Sequence, residues 1–151
     1  MTALHPAALW YAEQGVPVFP CRPGEKVPAT KSGVKDATTD RAQVDTWWSR
    51  MPTANIGLAT GFIFDVLDID DWAGVNSDVE EVIEEGFGFV ATPRGGTHIY
   101  LRASGDGNAT NVVPGVDFRG RGGYVLAPPS VLPNGVYRWL EPVRFAIAAA
   151  A

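Results

Sequence analysis

The order of patterns along this 151-residue chain predicts an α+β fold: helix, strand, helix, strands, helix, then strands. Two observations carry that prediction. Three stretches place apolar residues at helical spacing between a cap and a stop, and the remaining apolar runs are short, β-rich and separated by Gly, Asn and Pro turns. A mixed or antiparallel sheet covered by helices satisfies both.

Residues 3–14, "ALHPAALWYAEQ", set Leu4, Ala8, Leu9, Tyr11 and Ala12 at helical spacing, and Gly15 stops the helix. The run "VPVFP" reads as a short strand. From Cys21 to Lys35, Pro, Gly and Lys accumulate, which predicts a surface loop. Asp40 caps a second helix reaching Arg50, with Val44, Trp47 and Trp48 inward, until "MPTAN" breaks it. "IGLAT" and "FIFDVLDID" are strands joined by a Gly-containing turn. Residues 77–85, "SDVEEVIEE", carry acids early and Gly86 at the end, as a capped helix does. Strands "FGFVAT", "THIYLRA", "GVDFRG", "GYVLAP" and "VYRWLE" complete the chain. The length suits one domain, 1–145, followed by a tail, 146–151, whose alanine run reads as the cut end of a longer chain.

Composition excludes several classes. At 46% hydrophobic and 19% charged residues the chain is not disordered. One cysteine, Cys21, allows no internal disulfide, and with only His5 and His98 the soft ligands are too few for a structural zinc site. Any metal is therefore expected on oxygen. No basic leader or apolar stretch of membrane-spanning length occurs, so a cytoplasmic protein without a membrane partner is expected. A net charge of −5 gives no global attraction for a polyanion, which leaves a local basic groove as the route to nucleic acid.

The candidate chemistry starts at "FDVLDID", where acids interrupt a run that otherwise reads as a buried strand. In an extended chain Asp68 and Asp70 share one face while Leu67 and Ile69 take the other. Their Cα atoms then lie about 6 to 7 Å apart, a spacing at which both carboxylates reach ions roughly 4 Å apart. Asp65 and Asp71 have the opposite parity. By itself Asp-x-Asp is a weak motif, and a strand-end carboxylate followed by a turn or cap residue explains it equally. The same parity recurs in "GGTHIYLR", where His98, Tyr100 and Arg102 alternate with Ile99 and Leu101 behind two glycines. It recurs again in "GVDFRG", with Asp117 and Arg119 on one face; a surface ion pair of small value is the ordinary alternative. Carboxylates for metal together with His and Arg for phosphate are what nucleotidyl transfer requires.

Over residues 7–139 the sequence resembles the bifunctional primase–polymerase domains of the archaeo-eukaryotic primase superfamily found in phage and plasmid replication proteins. The resemblance rests on the order of "GVPVFPCRPGEKVPA", "DATTDRAQVDTWWSRMPTANIGLATG", "VLDID", "TPRGGTHIYL" and "GVDFRGRGGYVLAPPS". It implies a sheet related to the RNA-recognition motif, packed with an N-terminal α+β unit. It also implies that Asp68, Asp70 and Asp117 are the catalytic acids holding two Mg²⁺ or Mn²⁺ ions, and that His98 meets the phosphates of the incoming nucleotide. Nucleoside triphosphates, a single-stranded DNA template and a primer are the implied partners, with a helicase domain expected beyond the C-terminus. Arg94 in "TPRGG" departs from the family's usual small residue and is either a phosphate or template contact or a solvated loop charge. Arg119 is expected to neutralise phosphate charge. Among loop lysines Lys26, Lys31 and Lys35, which otherwise simply solvate the loop, Lys31 is the one assigned to the nucleotide.

Three other readings stand beside this one. An Asp-x-Asp nucleotide-sugar transferase leaves His98 and Asp117 unexplained, and a rolling-circle nuclease needs a histidine pair that the chain lacks. A catalytically silent single-stranded nucleic-acid-binding module would carry an acidic cluster that repels DNA.

Overall fold

The computed structural model describes residues 3–149. Helix α1, Leu4–Glu13, and helix α2, Arg41–Arg50, pack against each other and against a three-stranded sheet. Asp40 caps α2 as expected, accepting a hydrogen bond from the Ala42 amide at 3.1 Å. Val44 and Trp48 are the residues α2 buries, and Trp47 is only partly covered. His5 on α1 ties the two helices through a 2.8 Å contact to Asp45.

The sheet beneath them runs β1 (Val18–Cys21), β2 (Asn55–Ala59), β8 (Tyr124–Ala127), with Val18 opposite Leu58 and Ile56 opposite Ala127. Both of its first two strands are buried throughout, which is why they read as continuous apolar runs instead of alternating ones. Cys21 is fully buried here, and burial pushes its thiol up to about 12, the behaviour of an inert core residue.

The second sheet has six strands in the order β11-β4-β5-β3-β7-β6. Their ranges are β3 Phe64–Ile69, β4 Gly88–Ala91, β5 Thr97–Arg102, β6 Ala109–Val113, β7 Val116–Arg119 and β11 Arg138–Trp139. Every ladder in both sheets is antiparallel. The fold is thus α+β, as the sequence predicts. Parity divides the large sheet into two faces. Phe64, Val66, Val90 and Tyr100 join the main core with α1 and the small sheet. Leu67, Ile69, Ile99, Leu101 and Val116 form a second core against Val79 of α3, Ser77–Glu84. Burying apolar side chains on both faces explains why β3 and β5 keep their register: a slip of one residue would exchange the two cores.

Differences from the sequence reading are local. Helix α3 is capped by Asn76, whose side chain accepts from the Val79 amide at 3.0 Å. Strand β6 is unforeseen, because "ATNVV" is polar and almost wholly exposed; it survives as an edge strand with a bulge against β7. "VYRWLE" divides: Gly135–Val136 (β10) forms a hairpin with Val131–Leu132 (β9), and β11 crosses to pair with β4. Trp48 is buried and donates to the Ala54 carbonyl at 3.0 Å, whereas Trp72 is 48% exposed. The expected tail starts as a short helix, α4, Ala146–Ala149; residues 150 and 151 lie outside the described residues. Among the described residues no helix is long and apolar enough to cross a membrane.

Candidate active site

Strand β3 lies in the middle of the large sheet, and its residue Asp68 is directly opposite His98 on β5 and directly opposite Asp117 on β7. Residues opposed in register project to the same side of a sheet. The backbone pairing alone therefore sets an acid, an imidazole and a second acid in one row. His98 Nε2 lies 3.4 Å from Asp68 Oδ1, and the ring, only 5% exposed, has no partner at Nδ1. Arg119, two residues beyond Asp117 on the same face, reaches both acids, at 3.2 Å from Asp117 and 3.7 Å from Asp68. The other Asp117 oxygen accepts from the Asn111 amide at 2.9 Å.

Asp70 leaves the end of β3, where its amide donates to the Gly115 carbonyl at 2.8 Å and its side chain enters the cleft described below. The neighbouring acids have other duties. Asp71 caps a single 3-10 turn, Trp72–Gly74, by accepting from Ala73 at 2.9 Å. Asp65 points to the opposite face and accepts from both the amide and the hydroxyl of Ser104, each at 2.8 Å. The paired glycines before β5 are explained by the backbone: Gly95 has φ +85°, and a Cβ on Gly96 would lie 2.6 Å from the Ile69 carbonyl. They let the hairpin close on the end of β3 and so bring Thr97 and His98 level with the acids.

The row opens into a cleft between the two sheets. One lobe, about 250 Å³, is lined by Asp68, His98, Arg119, Asn108, Gly123 and Tyr124 among others. The other, about 130 Å³, is lined by Asp68, Asp70, Arg94, His98, Arg119 and Thr92 among others. Lys26 and Tyr137 border both lobes. Lys31 borders neither. The reason lies in long-range contacts: Tyr124 donates its hydroxyl to the Lys26 carbonyl at 2.8 Å and Asn55 donates to the Glu25 carbonyl at 2.9 Å. Those two bonds fasten the loop at residues 25 and 26 and leave Lys31 on the outside. Tyr137 was not legible as a site residue because "VYRW" reads as an ordinary strand. It is nearly buried with its ring 5.8 Å from that of His98. Burial, then the charges of Asp68 and Asp70, push its hydroxyl up to about 12, so it stays a proton-bearing donor.

The two acids of the first strand differ electrostatically. Burial draws the Asp68 carboxyl upward, but His98, by contact and by charge, with Arg119 and Lys26, outweighs it and holds Asp68 below the ordinary carboxylate value. Asp70 is raised, by burial first and then by Asp68, with Asp117 adding to it. Asp70 therefore feels both of the other acids. Carboxylate oxygens are the donor set that hard divalent cations such as Mg²⁺ and Mn²⁺ take, so the residues suit such an ion in kind. Among the described residues no three acid, His or Cys side chains are drawn together tightly enough to hold one as they stand, and Arg119 bridges Asp68 and Asp117.

Residues 8–151 match the family described as bifunctional DNA primase/polymerase, N-terminal. The chain belongs to that family. Membership gives this primase/polymerase domain a DNA primase/polymerase-type role in replication and, at the level of the family, nucleotidyltransferase activity. A comparison with curated proteins found no match.

The raised Asp70 has a measurable consequence. An acid whose folded-state pKa exceeds its unfolded value destabilises the fold once both states ionise, and the penalty disappears as pH falls below the ordinary carboxylate range. Asp70→Asn is expected to unfold at a slightly higher temperature than wild type at pH 7 and at the same temperature near pH ~3. The increment is small because Asp70 is largely exposed and solvent screens it. Thermal melts at the two pH values decide it; a variant less stable than wild type at pH 7 would contradict the repulsion described.

Proposed function

We propose that the cleft catalyses template-directed DNA primer synthesis, extension or both from nucleoside triphosphates, in phage or plasmid replication within the host cytoplasm. The observation that supports this most is the row His98, Asp68, Asp117 across β5, β3 and β7, with Asp70 and Arg119 beside it. Asp68, Asp70 and Asp117 are the residues that would hold Mg²⁺ or Mn²⁺; such ions lower the pKa of the attacking hydroxyl and neutralise charge on the triphosphate. In the reaction the oxygen of a primer 3′-hydroxyl, or of a first nucleotide's hydroxyl, gives up its proton to solvent and bonds to the α-phosphorus, and the bond to the leaving pyrophosphate breaks.

The chain's own groups bind and orient. Arg94 and Lys26 both line the cleft and attract the phosphates of the nucleotide. With the acids engaged by a metal, Arg119 would be free to bind phosphate oxygens, and a ring N–H of His98 would be available to the same charge. Tyr124, Asn108 and the glycine floor at Gly122 and Gly123 leave room for sugar and base in the larger lobe. Single-stranded template and primer approach along the open side, and a helicase domain following the C-terminus would supply the unwound strand.

Incorporation of labelled deoxynucleotides onto a primed template tests the reading. Synthesis is expected with Mg²⁺ or Mn²⁺ and is abolished by EDTA, then restored by excess metal. Synthesis that persists in EDTA would remove the metal from the mechanism.

A further inference from the structure

The opposite face of the large sheet carries a second acidic site that the proposed chemistry does not use. Asp65 pairs in register with Leu101 and faces a cavity of about 720 Å³ beside α3. It is 1% exposed, and while Ser104 donates twice to Oδ2, Oδ1 has no partner. A buried carboxylate oxygen without a donor is costly, and a water or a ligand's donor can satisfy it. Glu85 and Asp106 border the same cavity and deepen its negative field; Arg102 also borders it but makes no ion pair among the described residues. Phe87 and Phe118 supply aromatic walls. A second cavity, about 640 Å³, shares Val82, Asp106 and Phe118 with the first and continues as an apolar trough along Val79, Val112 and Val113. Val82 and Val112 are 38% and 45% exposed at its rim.

We propose that this cavity receives the guanidinium of an arginine in a partner protein segment, whose apolar neighbours lie in the adjoining trough. The chemistry selects that group over other cations. A guanidinium is planar and weakly hydrated, presents several donors to carboxylates and stacks on aromatic faces, whereas an ammonium retains its water. Charge complementarity names the partner: Asp78 lines the trough and α3 also exposes Glu80, Glu81 and Glu84, so a basic segment is drawn to this part of the surface and an acidic one repelled.

The test is calorimetric titration of the whole chain with three probes: an acetylated, amidated peptide carrying one arginine between leucines, its neutral citrulline twin, and agmatine. The arginine peptide is expected to bind at least tenfold more tightly than either other probe. Asp65→Asn removes that preference, Glu85→Gln reduces it severalfold, and Asp68→Asn on the other face leaves it intact. If Asp65→Asn does not fold, the exposed Glu85→Gln decides the question alone. Equal binding of the arginine and citrulline peptides, or a preference that survives these substitutions, overturns the proposal. Agmatine binding as tightly as the peptide overturns the protein-segment occupant and leaves a site for a small guanidine.

Discussion

Asp68→Asn is expected to lower templated incorporation by on the order of 10³-fold, at least the loss that follows removal of one fixed charge-stabilising group from an active site. Asp68 is the position on which the rest of the site converges: His98 at 3.4 Å, Arg119 at 3.7 Å and Asp117 across the ladder. The substitution is nearly isosteric, so neither sheet is disturbed, but the carboxylate charge is lost and with it an oxygen for metal. Stability responds with the opposite sign to Asp70. Because Asp68 is held below the ordinary carboxylate value, its ionised form contributes stability above that value and loses it as pH falls through the lowered one. Asp68→Asn therefore melts below wild type at pH 7, and the gap narrows under strongly acidic conditions. Incorporation assays and melts on the same preparation separate the two effects. If wild type and variant both fail to incorporate while the variant binds single-stranded DNA more tightly, the domain is a silent nucleic-acid-binding module whose acids merely repel the strand.

What sequence patterning reveals here is the parity of each strand, and what it conceals is which strands are neighbours. Alternation places Asp68, His98, Asp117 and Arg119 each on the face opposite Leu67, Ile69, Ile99 and Val116, and the ladders bring all four to one side of one sheet, which also carries main-core residues such as Phe64 and Tyr100. Nothing in "THIYLR" or "VDFR" states that both flank β3, since that order comes from long-range pairing between distant segments. The same limit explains the loop lysines. Composition assigns Lys26, Lys31 and Lys35 equally to a surface loop, and the choice of Lys26 is made by Tyr124 and Asn55, distant in sequence. Asp65 is legible by parity as lying outside the row, but its burial without a second donor is a property of packing alone. Tyr137 and β6 were concealed for opposite reasons. The first looks like any strand aromatic, and the second has an exposed polar pattern that no core dictates.

Gly61→Ala is expected to cost about 3 kcal/mol or more, because two separate penalties coincide there. Gly61 has φ +88°, a region an L residue occupies only under strain. An added Cβ would also lie 2.5 Å from the Arg121 nitrogen and Cα, so backbone would have to move away from backbone. The place matters as much as the collision. Next to it, buried Thr60 donates its hydroxyl to the Gly120 carbonyl at 2.6 Å, while its amide donates to the Gly123 carbonyl at 3.0 Å. Those bonds clasp the small sheet to the loop that follows β7, and Gly122 and Gly123 of that loop form the floor of the larger cleft lobe. Pushing Arg121 outward should therefore raise KM for the nucleotide as well as lower stability. Gly24→Ala is the control: its φ is +72°, yet nothing lies within 4 Å of the added carbon, so it carries the strain without the collision, about 1 kcal/mol. Urea unfolding of both variants, with slopes matching wild type, reads the difference directly. A Gly61→Ala midpoint equal to that of Gly24→Ala would mean the clasp yields freely, and the cleft floor would then be a movable part of the site instead of a fixed one.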